Sequence, residues 1–233
     1  MTPERFAKLR RVMAGRQPDL TILAENVHKS HNIAAIIRTC DAVGILDAHA
    51  VSETGEMRRH HMVSGGSRRW VPVHFHPSVR GALDALRGQG FRILAAHQSD
   101  TATDYREMDY TAPTAILLGS ELVGVSESAA ADADGHVMIP MEGMVESLNV
   151  SVAAALILYE ARRQRRAAGM YDKSRVDPQL ARDRLFEWAY PKIAARCREK
   201  SVPYPPLSAD GDLMANPFQV SPAEPREARI EGE

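Results

Sequence analysis

Polar residues interrupt an otherwise apolar segment, 137–159, where a predicted strand gives way to a predicted helix. They are Ser147, Asn149 and Ser151. Hydroxyl and amide groups at the start of a helix can cap free backbone N–H groups, and this is one interpretation of the cluster. Because the three residues follow a buried strand and a short loop, we favour the other interpretation, a ligand site at the carboxyl end of a sheet.

An arginine lies on a second apolar helix, predicted over residues 32–43. Isoleucines at helical spacing give this helix a buried stripe, and Arg38 stands beside that stripe. The residues alone allow two interpretations. Arg38 is either a site residue or a structural one, whose side chain follows the protein surface or pairs with Asp41.

A third polar stretch follows the predicted strand Thr114–Leu118. Its sequence is GSELVG, so glycines flank Glu121 at positions 119 and 124. Glycines at the end of a strand permit a close approach of the backbone to a ligand. A glutamate in a loop is common, so this stretch indicates a site only together with the other two.

The three stretches together resemble the signature motifs of SPOUT methyltransferases, in the branch that contains the TrmH-type tRNA ribose methyltransferases. Asn32, Arg38, Thr39 and Gly44 match the first motif, GSELVG the second, and residues 137–159 the third. The similarity covers about residues 20–168. It implies an α/β fold with a mostly parallel sheet, helices on both faces and a deep C-terminal trefoil knot.

The resemblance also implies an activity. The cofactor would be S-adenosyl-L-methionine, the substrate tRNA, the product a 2′-O-methylated guanosine 18 in the D-loop, and the assembly a homodimer. Alternatives are methylation of another ribose in tRNA or rRNA, or a catalytically silent RNA-binding protein of the same fold. Neither a G-x-G-x-x-G motif after the first strand nor a Walker lysine motif is present, so the usual dinucleotide and P-loop sites lack support.

The resemblance assigns roles to five residues. Arg38 is the catalytic residue, Asn32 positions it, Glu121 holds the second motif, and Ser147 and Asn149 line the substrate and cofactor side. A ribose hydroxyl is a poor acid, so a group must take or share its proton. Arg38 acts either as the base together with a substrate phosphate or as a bidentate clamp on that phosphate. In the second case the phosphate or a water molecule receives the proton.

The cofactor would be held largely by backbone groups, near Ala96, Gly119, Ile139, Met144 and Leu148. Several members of the family carry a hydroxyl residue where Ala96 stands. A backbone contact survives that difference, whereas a side-chain contact does not.

Charge is distributed unevenly although the net charge is only −1. Basic residues cluster within 5–16 and 162–166, and the tail from Asp210 onward is acidic. Such clusters are typical of phosphate-binding faces, although a solvated helix face is the alternative. The candidate RNA-binding residues are Arg10, Arg11, Arg58, Arg68, Arg163 and Arg166.

Alternating helix and strand patterns predict an open α/β sheet with short extensions. The domains are a basic helical extension (1–19), a methyltransferase domain (20–168) and a C-terminal helical extension with an acidic tail (169–233). Strands are expected at 20–24, 49–51, 71–75, 91–97, 114–118 and 137–139. Helices are expected at 2–15, 32–43 and 78–86, from 147 or 148 to 169, and twice within 177–200.

Composition excludes several other classes of protein. We find neither a signal peptide nor an apolar run of the roughly 18 residues that a membrane span needs, so a cytoplasmic protein is expected. Cys40 and Cys197 lie far apart and indicate neither a disulfide framework nor a zinc site. His74 and His76 share one face of a predicted strand, but no third ligand accompanies them, and we predict no metal.

Overall fold

The computed structural model describes residues 1–52 and 69–218. Strands and helices alternate along these ranges, as predicted. The strands are β1 (Leu20–Glu25), β2 (Ala48–Val51), β3 (Val73–His76), β4 (Arg92–Ala96), β5 (Thr103–Asp104), β6 (Thr114–Leu118) and β7 (Gly135–Met138). The helices are α1 (Pro3–Ala14), α2 (Ser30–Val43), α3 (Val79–Gly88), α4 (Glu127–Ala131), α5 (Val150–Ala167), α6 (Pro178–Ala189) and α7 (Pro191–Glu199).

The described strands form one sheet in the order β3-β2-β1-β6-β4-β7-β5, and every pairing between them is parallel. All residues of the central strands β1 and β6 are buried. The predicted α/β class with a parallel sheet is therefore confirmed. The trefoil knot stays a prediction, since strand order does not specify whether a loop is threaded.

Apolar layers cover both faces of the sheet. Along β1, Ile22 and Ala24 pack with α2 and α5, whereas Leu23 packs with α3 and α4. This alternation is the period of two that a strand imposes on its side chains. The helices therefore cover both faces of the sheet, and the loops at the carboxyl ends of the strands remain available for a site.

The end of one helix and the start of another show how local sequence signals set element boundaries. Helix α2 ends as predicted at Gly44, whose φ of 88° is a left-handed conformation that favours glycine. Helix α5 begins at Val150, after the predicted start at Ser147 or Leu148, because Asn149 caps it. The sequence analysis missed the two-residue strand β5, which lies within a polar connection.

The chain divides into two compact units that differ from the predicted domains. One unit is Val12–Asp177, which contains the whole sheet. The other combines Met1–Arg11 with the chain from Pro178 onward. Within this second unit, Phe186 stacks on Tyr204 with ring centroids 4.7 Å apart. The predicted breaks after residues 19 and 168 thus fall inside the sheet-containing unit.

Two arginines that the sequence places in basic clusters are fully buried. Arg16 pairs with Asp41 at 2.6 Å, and Arg165 pairs with Asp19 at 2.6 Å. Arg165 also donates hydrogen bonds to backbone oxygens, among them that of Tyr110. Neither was a candidate RNA-binding residue. A fully buried guanidinium engaged by carboxylate and carbonyl groups does not reach a ligand at the surface, so these two members of the basic clusters do not contribute to a phosphate-binding face.

Three further features concern membrane-spanning helices, metal-binding clusters and the two cysteines. Among the described helices, none combines the length and apolar character needed to cross a bilayer. The described residues contain no cluster of three or more His, Cys, Asp or Glu side chains that could hold a metal ion. Cys40 and Cys197 are buried, free thiols.

Candidate active site

Hydrogen bonds join three side chains from distant parts of the chain beyond the carboxyl ends of β1 and β6. Asn32 donates from Nδ2 to Oε1 of Glu121 at 2.7 Å. Asn149 in turn donates from Nδ2 to Oδ1 of Asn32 at 3.1 Å. This Asn149–Asn32–Glu121 bridge brings together the three stretches that the sequence analysis singled out.

Glu121 anchors the entry to α2 as well. Its carboxylate accepts hydrogen bonds from the backbone N–H groups of His28 at 3.2 Å and Lys29 at 3.1 Å. Burial by itself would raise the pKa of Glu121, but the hydrogen bonds from Asn32 and from these backbone groups hold the pKa below its usual value. Glu121 is therefore a carboxylate at neutral pH and is engaged on both oxygens.

Asn149 has two structural roles at once. It is the N-cap of α5, where its Oδ1 accepts from the backbone N–H of Ser151 at 2.8 Å, and its Nδ2 reaches Asn32. Helix capping and site formation, the two interpretations of this cluster, thus apply to the same residue. Ser147 lies before the cap and lines a cavity instead.

A cavity of about 550 Å³ adjoins the bridge. Apolar side chains of strand ends and of α5 line part of it, including Leu118, Val137, Ile139, Leu148 and Ile157. Polar side chains line the remainder, including Lys29, His97, Gln98, Ser120, Glu146 and Ser147. Its size lies in the range of small-molecule and cofactor sites, about 300–1,000 Å³.

Most of the predicted site residues meet at this cavity. Those that line it are Ala96, Gly119, Glu121, Ile139, Ser147, Leu148 and Asn149. Asn32 is buried behind it and reaches it through the bridge. Met144 is not among the lining residues, and its side chain is 99% exposed.

Gly119 is required by the chain itself. A Cβ atom at this position would lie 1.9 Å from the backbone carbon of Gly124. The loop folds back so tightly because Ser120 and Gly124 exchange two backbone hydrogen bonds, at 2.9 and 3.0 Å. The sequence analysis attributed this glycine to a ligand contact, whereas the structure shows a contact within the loop.

Arg38 is exposed on α2 and is not among the residues that line the cavity. Within residues 1–52 and 69–218 its side chain forms no hydrogen bond or ion pair. Asp41, its alternative partner, pairs with Arg16 instead. Asn32 contacts Glu121 and Asn149 rather than Arg38, so the predicted positioning of Arg38 by Asn32 does not occur through a direct hydrogen bond.

The candidate RNA-binding residues differ in their surroundings. Arg10, Arg11 and Arg166 are exposed. Arg163 is exposed too, but it forms an ion pair with Glu160 at 2.7 Å, and a hydrogen bond from the guanidinium to that carboxylate raises the pKa of Arg163. Arg58 and Arg68 lie outside the described residues.

Several polar residues that line the cavity were not among the predicted site residues, including Lys29, His97, Gln98 and Glu146. None belongs to a periodic pattern. A usable signal was present for His97 and Gln98, because they follow β4 directly and the carboxyl ends of parallel strands meet at one edge.

Comparisons with known proteins agree with this geometry. The SpoU rRNA Methylase family matches residues 19–159, and its C-terminal companion, described as SpoU, rRNA methylase, C-terminal, matches residues 163–216. A relative from Escherichia coli K12 named tRNA (guanosine(18)-2′-O)-methyltransferase is 49% identical over 218 residues, which cover 93% of this chain and 95% of the relative.

Solved structures agree as well. The TrmH/SpoU tRNA modifying enzyme of Aquifex aeolicus has a TM-score of 0.72 at 39% identity, covering 82% of this chain and 97% of that one. The SpoU methyltransferase AviRb of Streptomyces viridochromogenes, solved in complex with the cofactor AdoMet, has a TM-score of 0.58 at 28% identity, covering 66% and 61%. With its motifs joined at one cavity and its sequence matched over most of its length, this chain belongs to the SpoU rRNA methylase family.

Proposed function

We propose that the chain is an S-adenosyl-L-methionine-dependent methyltransferase that modifies the ribose 2′-hydroxyl of guanosine 18 in the tRNA D-loop. The Asn149–Asn32–Glu121 bridge carries this proposal, because it assembles residues of three distant segments at the wall of one cavity. The relative from Escherichia coli named for this reaction supports the choice of substrate, since its similarity extends over 93% of the chain.

The cavity fits the proposed cofactor. Apolar residues such as Leu118 and Ile139 suit an adenine ring, and the polar groups around them offer partners for ribose hydroxyls and for an amino-acid group. Ala96, Gly119, Ile139 and Leu148 would hold the cofactor through their backbones, whereas Met144 does not line the cavity. When bound, S-adenosyl-L-methionine supplies a methyl group on a sulfonium, which is a good leaving group.

The residues of the chain then have to place the attacking hydroxyl. Ser147 and Asn149 line the cavity at its exposed rim, where a ribose can enter. The bridge fixes the amide of Asn149, so that its position does not depend on the substrate. Proximity and alignment of this kind are the main contribution a protein can make to an in-line methyl transfer.

Arg38 would bind the phosphate next to the acceptor ribose. Its guanidinium makes no hydrogen bond to a described residue, so its donors are available for two parallel bonds to phosphate. A guanidinium resists deprotonation, and we therefore assign the proton of the 2′-hydroxyl to that phosphate or to a water molecule. Arg38 acts in this scheme by fixing the phosphate that receives the proton.

A homodimer would complete the site. Helix α5 presents Val152, Leu156 and Tyr159 at helical spacing, and their side chains are 46%, 37% and 50% exposed. They line a shallow cavity of about 420 Å³ together with Tyr105. Exposed apolar patches of this kind are typical of protein interfaces. A second protomer packed there would also explain why Arg38 does not line the cavity of its own chain.

The tRNA would be held by exposed arginines, with Arg10 and Arg11 on α1 and Arg163 and Arg166 on α5. Phosphate contacts of this kind provide affinity without reading the sequence. We place the reaction in the cytoplasm, where the proposed substrate occurs.

The deciding experiment measures methyl transfer from S-adenosyl-L-methionine to an unmodified tRNA transcript, followed by mapping of the methylated nucleotide. The matched control is the same tRNA with 2′-deoxyguanosine at position 18, which lacks only the acceptor oxygen. We expect one methyl group at guanosine 18 and none on the control. Equal methylation of both tRNAs would identify another ribose as the target. Binding of tRNA without methyl transfer would identify a catalytically silent protein.

A further inference from the structure

Two oppositely charged side chains line the cavity, and neither has a partner among the described residues. Lys29 precedes α2, and Glu146 lies in the loop before α5. Both are exposed, and neither side chain forms a hydrogen bond or an ion pair within residues 1–52 and 69–218. They are also not paired with each other, which places their charged atoms more than 4.0 Å apart.

The other polar groups of this wall are already engaged or carry no fixed charge. Glu121 already accepts three hydrogen bonds, from Asn32 and from two backbone N–H groups. Ser120 accepts from the backbone N–H of Val123 at 3.2 Å. Among the charged side chains that line the cavity, Lys29 and Glu146 are therefore the two without a partner in the described part of the chain.

A pair of opposite charges separated in this way matches a zwitterion. We infer that the cavity binds the amino-acid end of S-adenosyl-L-methionine, with the Lys29 ammonium on its α-carboxylate and the Glu146 carboxylate on its α-ammonium group. This inference rests on the proposed function. A phosphate of RNA fits the same place less well, because Glu146 would repel the anion that Lys29 attracts.

The placement agrees with the rest of the wall. The residues proposed to hold adenine, such as Ala96 and Gly119, follow strand ends, whereas Lys29 and Glu146 stand beside α2 and α5. The two charged side chains are specificity-determining residues in this scheme. They select a nucleoside that carries an amino acid over one that does not.

The test titrates the parent protein and the variants Lys29→Met and Glu146→Gln with four ligands by calorimetry. The ligands are S-adenosyl-L-methionine, S-adenosylhomocysteine, decarboxylated S-adenosylmethionine and 5′-methylthioadenosine. Matched controls are Lys173→Met and Glu142→Gln, two exposed positions that do not line the cavity. Charge-assisted hydrogen bonds at such a rim correspond to a change in Kd of about tenfold.

We expect Lys29→Met to weaken binding of the two ligands that have a carboxylate by about tenfold and to leave the other two unchanged. Glu146→Gln should weaken all three ligands that carry the α-ammonium group and spare 5′-methylthioadenosine. Both controls should bind like the parent protein. Thermal unfolding of each variant verifies that the fold is retained.

Three results would overturn the inference. The first is that both variants bind S-adenosyl-L-methionine as tightly as the parent protein does. This result would leave the proposed function intact, provided that the parent binds this cofactor and methylates tRNA. If Glu146→Gln weakened the binding of S-adenosyl-L-methionine but not that of S-adenosylhomocysteine, the Glu146 carboxylate would be assigned to the sulfonium instead of the α-ammonium group. A parent protein that binds none of the four ligands would remove the inference together with the proposed function.

Discussion

Asn32 and Glu121 share a hydrogen bond of 2.7 Å although 89 residues of sequence separate them. The same carboxylate holds the backbone before α2, and the same asparagine accepts from Asn149. Three loops at the edge of the sheet therefore depend on one anion. Removing that anion tests whether the loops form a functional unit.

The substitution Glu121→Gln should lower the free energy of unfolding by about 1–2 kcal/mol, because three N–H donors lose a charged acceptor. Methyl transfer should fall by at least about tenfold, since Asn149 loses its fixed support. Urea denaturation and initial rates measure the two effects. Glu142→Gln, an exposed carboxylate outside the cavity, is the control and should change neither quantity.

The same carboxylate makes a prediction about pH. Its folded pKa is depressed, so its contribution to stability is complete above the unfolded value of about 4.3 and is lost as the pH falls through the lower, folded value. The difference in unfolding free energy between the parent and Glu121→Gln should therefore shrink below about pH 4. A constant difference down to pH 2 would contradict this account.

Arg38 should behave differently from the bridge residues. Because its side chain is exposed and makes no contact by hydrogen bond or ion pair with the described chain, Arg38→Ala should change the unfolding free energy by less than about 0.5 kcal/mol. The rate of methyl transfer by Arg38→Ala should nevertheless fall by about 100-fold or more. Arg38→Lys should retain only part of the parental rate, since lysine cannot form two parallel hydrogen bonds to a phosphate. Single-turnover rates and cofactor titration separate the effects, and cofactor affinity should remain parental.

Association through α5 is tested by placing a charge on its apolar face. Leu156→Glu should convert a dimer into monomers, because an unpaired carboxylate in an apolar interface is strongly unfavourable. Sedimentation equilibrium measures the mass. Glu142→Gln again provides a surface control, and an unchanged mass for Leu156→Glu would locate any interface elsewhere.

A mixed assembly shows whether two protomers share a site. Arg38→Ala and Asn149→Ala chains should each be inactive alone. If Arg38 serves the partner's cavity, mixing them should restore about a quarter of the parental activity, as random pairing yields half mixed dimers with one intact site each. Absence of recovery after verified chain exchange would place both residues in one chain's site.

The neighbouring arginines Arg165 and Arg166 should give opposite phenotypes. Arg165 is fully buried on Asp19 and on backbone oxygens, so Arg165→Ala should destabilise the fold by about 3–5 kcal/mol. Arg166 is exposed, with its guanidinium 5.8 Å from the ring centroid of Tyr171, and Arg166→Ala should lower stability by at most about 1 kcal/mol while weakening tRNA binding. The slope of log K against log salt should fall by about one unit for Arg166→Ala.

A group of histidines predicts acid sensitivity. Nδ1 of His49 lies 2.9 Å from Nε2 of His76, and burial together with the nearby His74 and His76 lowers the pKa of His49 to about 4. The unfolded chain binds this proton near pH 6.5, so stability should fall as the pH drops from 6.5 to 4, by up to about 3 kcal/mol. His49→Gln should reduce this loss in thermal melts, whereas the exposed His31→Gln should not.

Much of the fold could be predicted because its signals are local. The apolar run of β6 and the left-handed turn at Gly44 each depend on a few adjacent residues. The burial of Arg16 and Arg165 could not be predicted in this way. Each is neutralised by a partner distant in sequence, Asp41 and Asp19, and a basic cluster read along the chain does not reveal such pairs.

The residues of the site also divide into those that the sequence predicted and those that it did not. Asn149 was found because polar residues at the start of an apolar helix are conspicuous, whereas Lys29 and Glu146 were missed because charged residues in loops are common. The resemblance to a family supplied what periodicity could not, namely which of several polar loops meet. Met144 shows its limit, since this residue belongs to the matching motif but does not line the cavity of this chain.

The turn after β6 leaves space only for a hydrogen atom on the α-carbon of Gly119, because the backbone of Gly124 and Val125 occupies the place of any larger group. Even alanine would force the two strands of this turn apart and displace Glu121 from Asn32. If the codon at this position were fully randomised and cells were selected for the modified nucleoside, the surviving clones would all encode glycine.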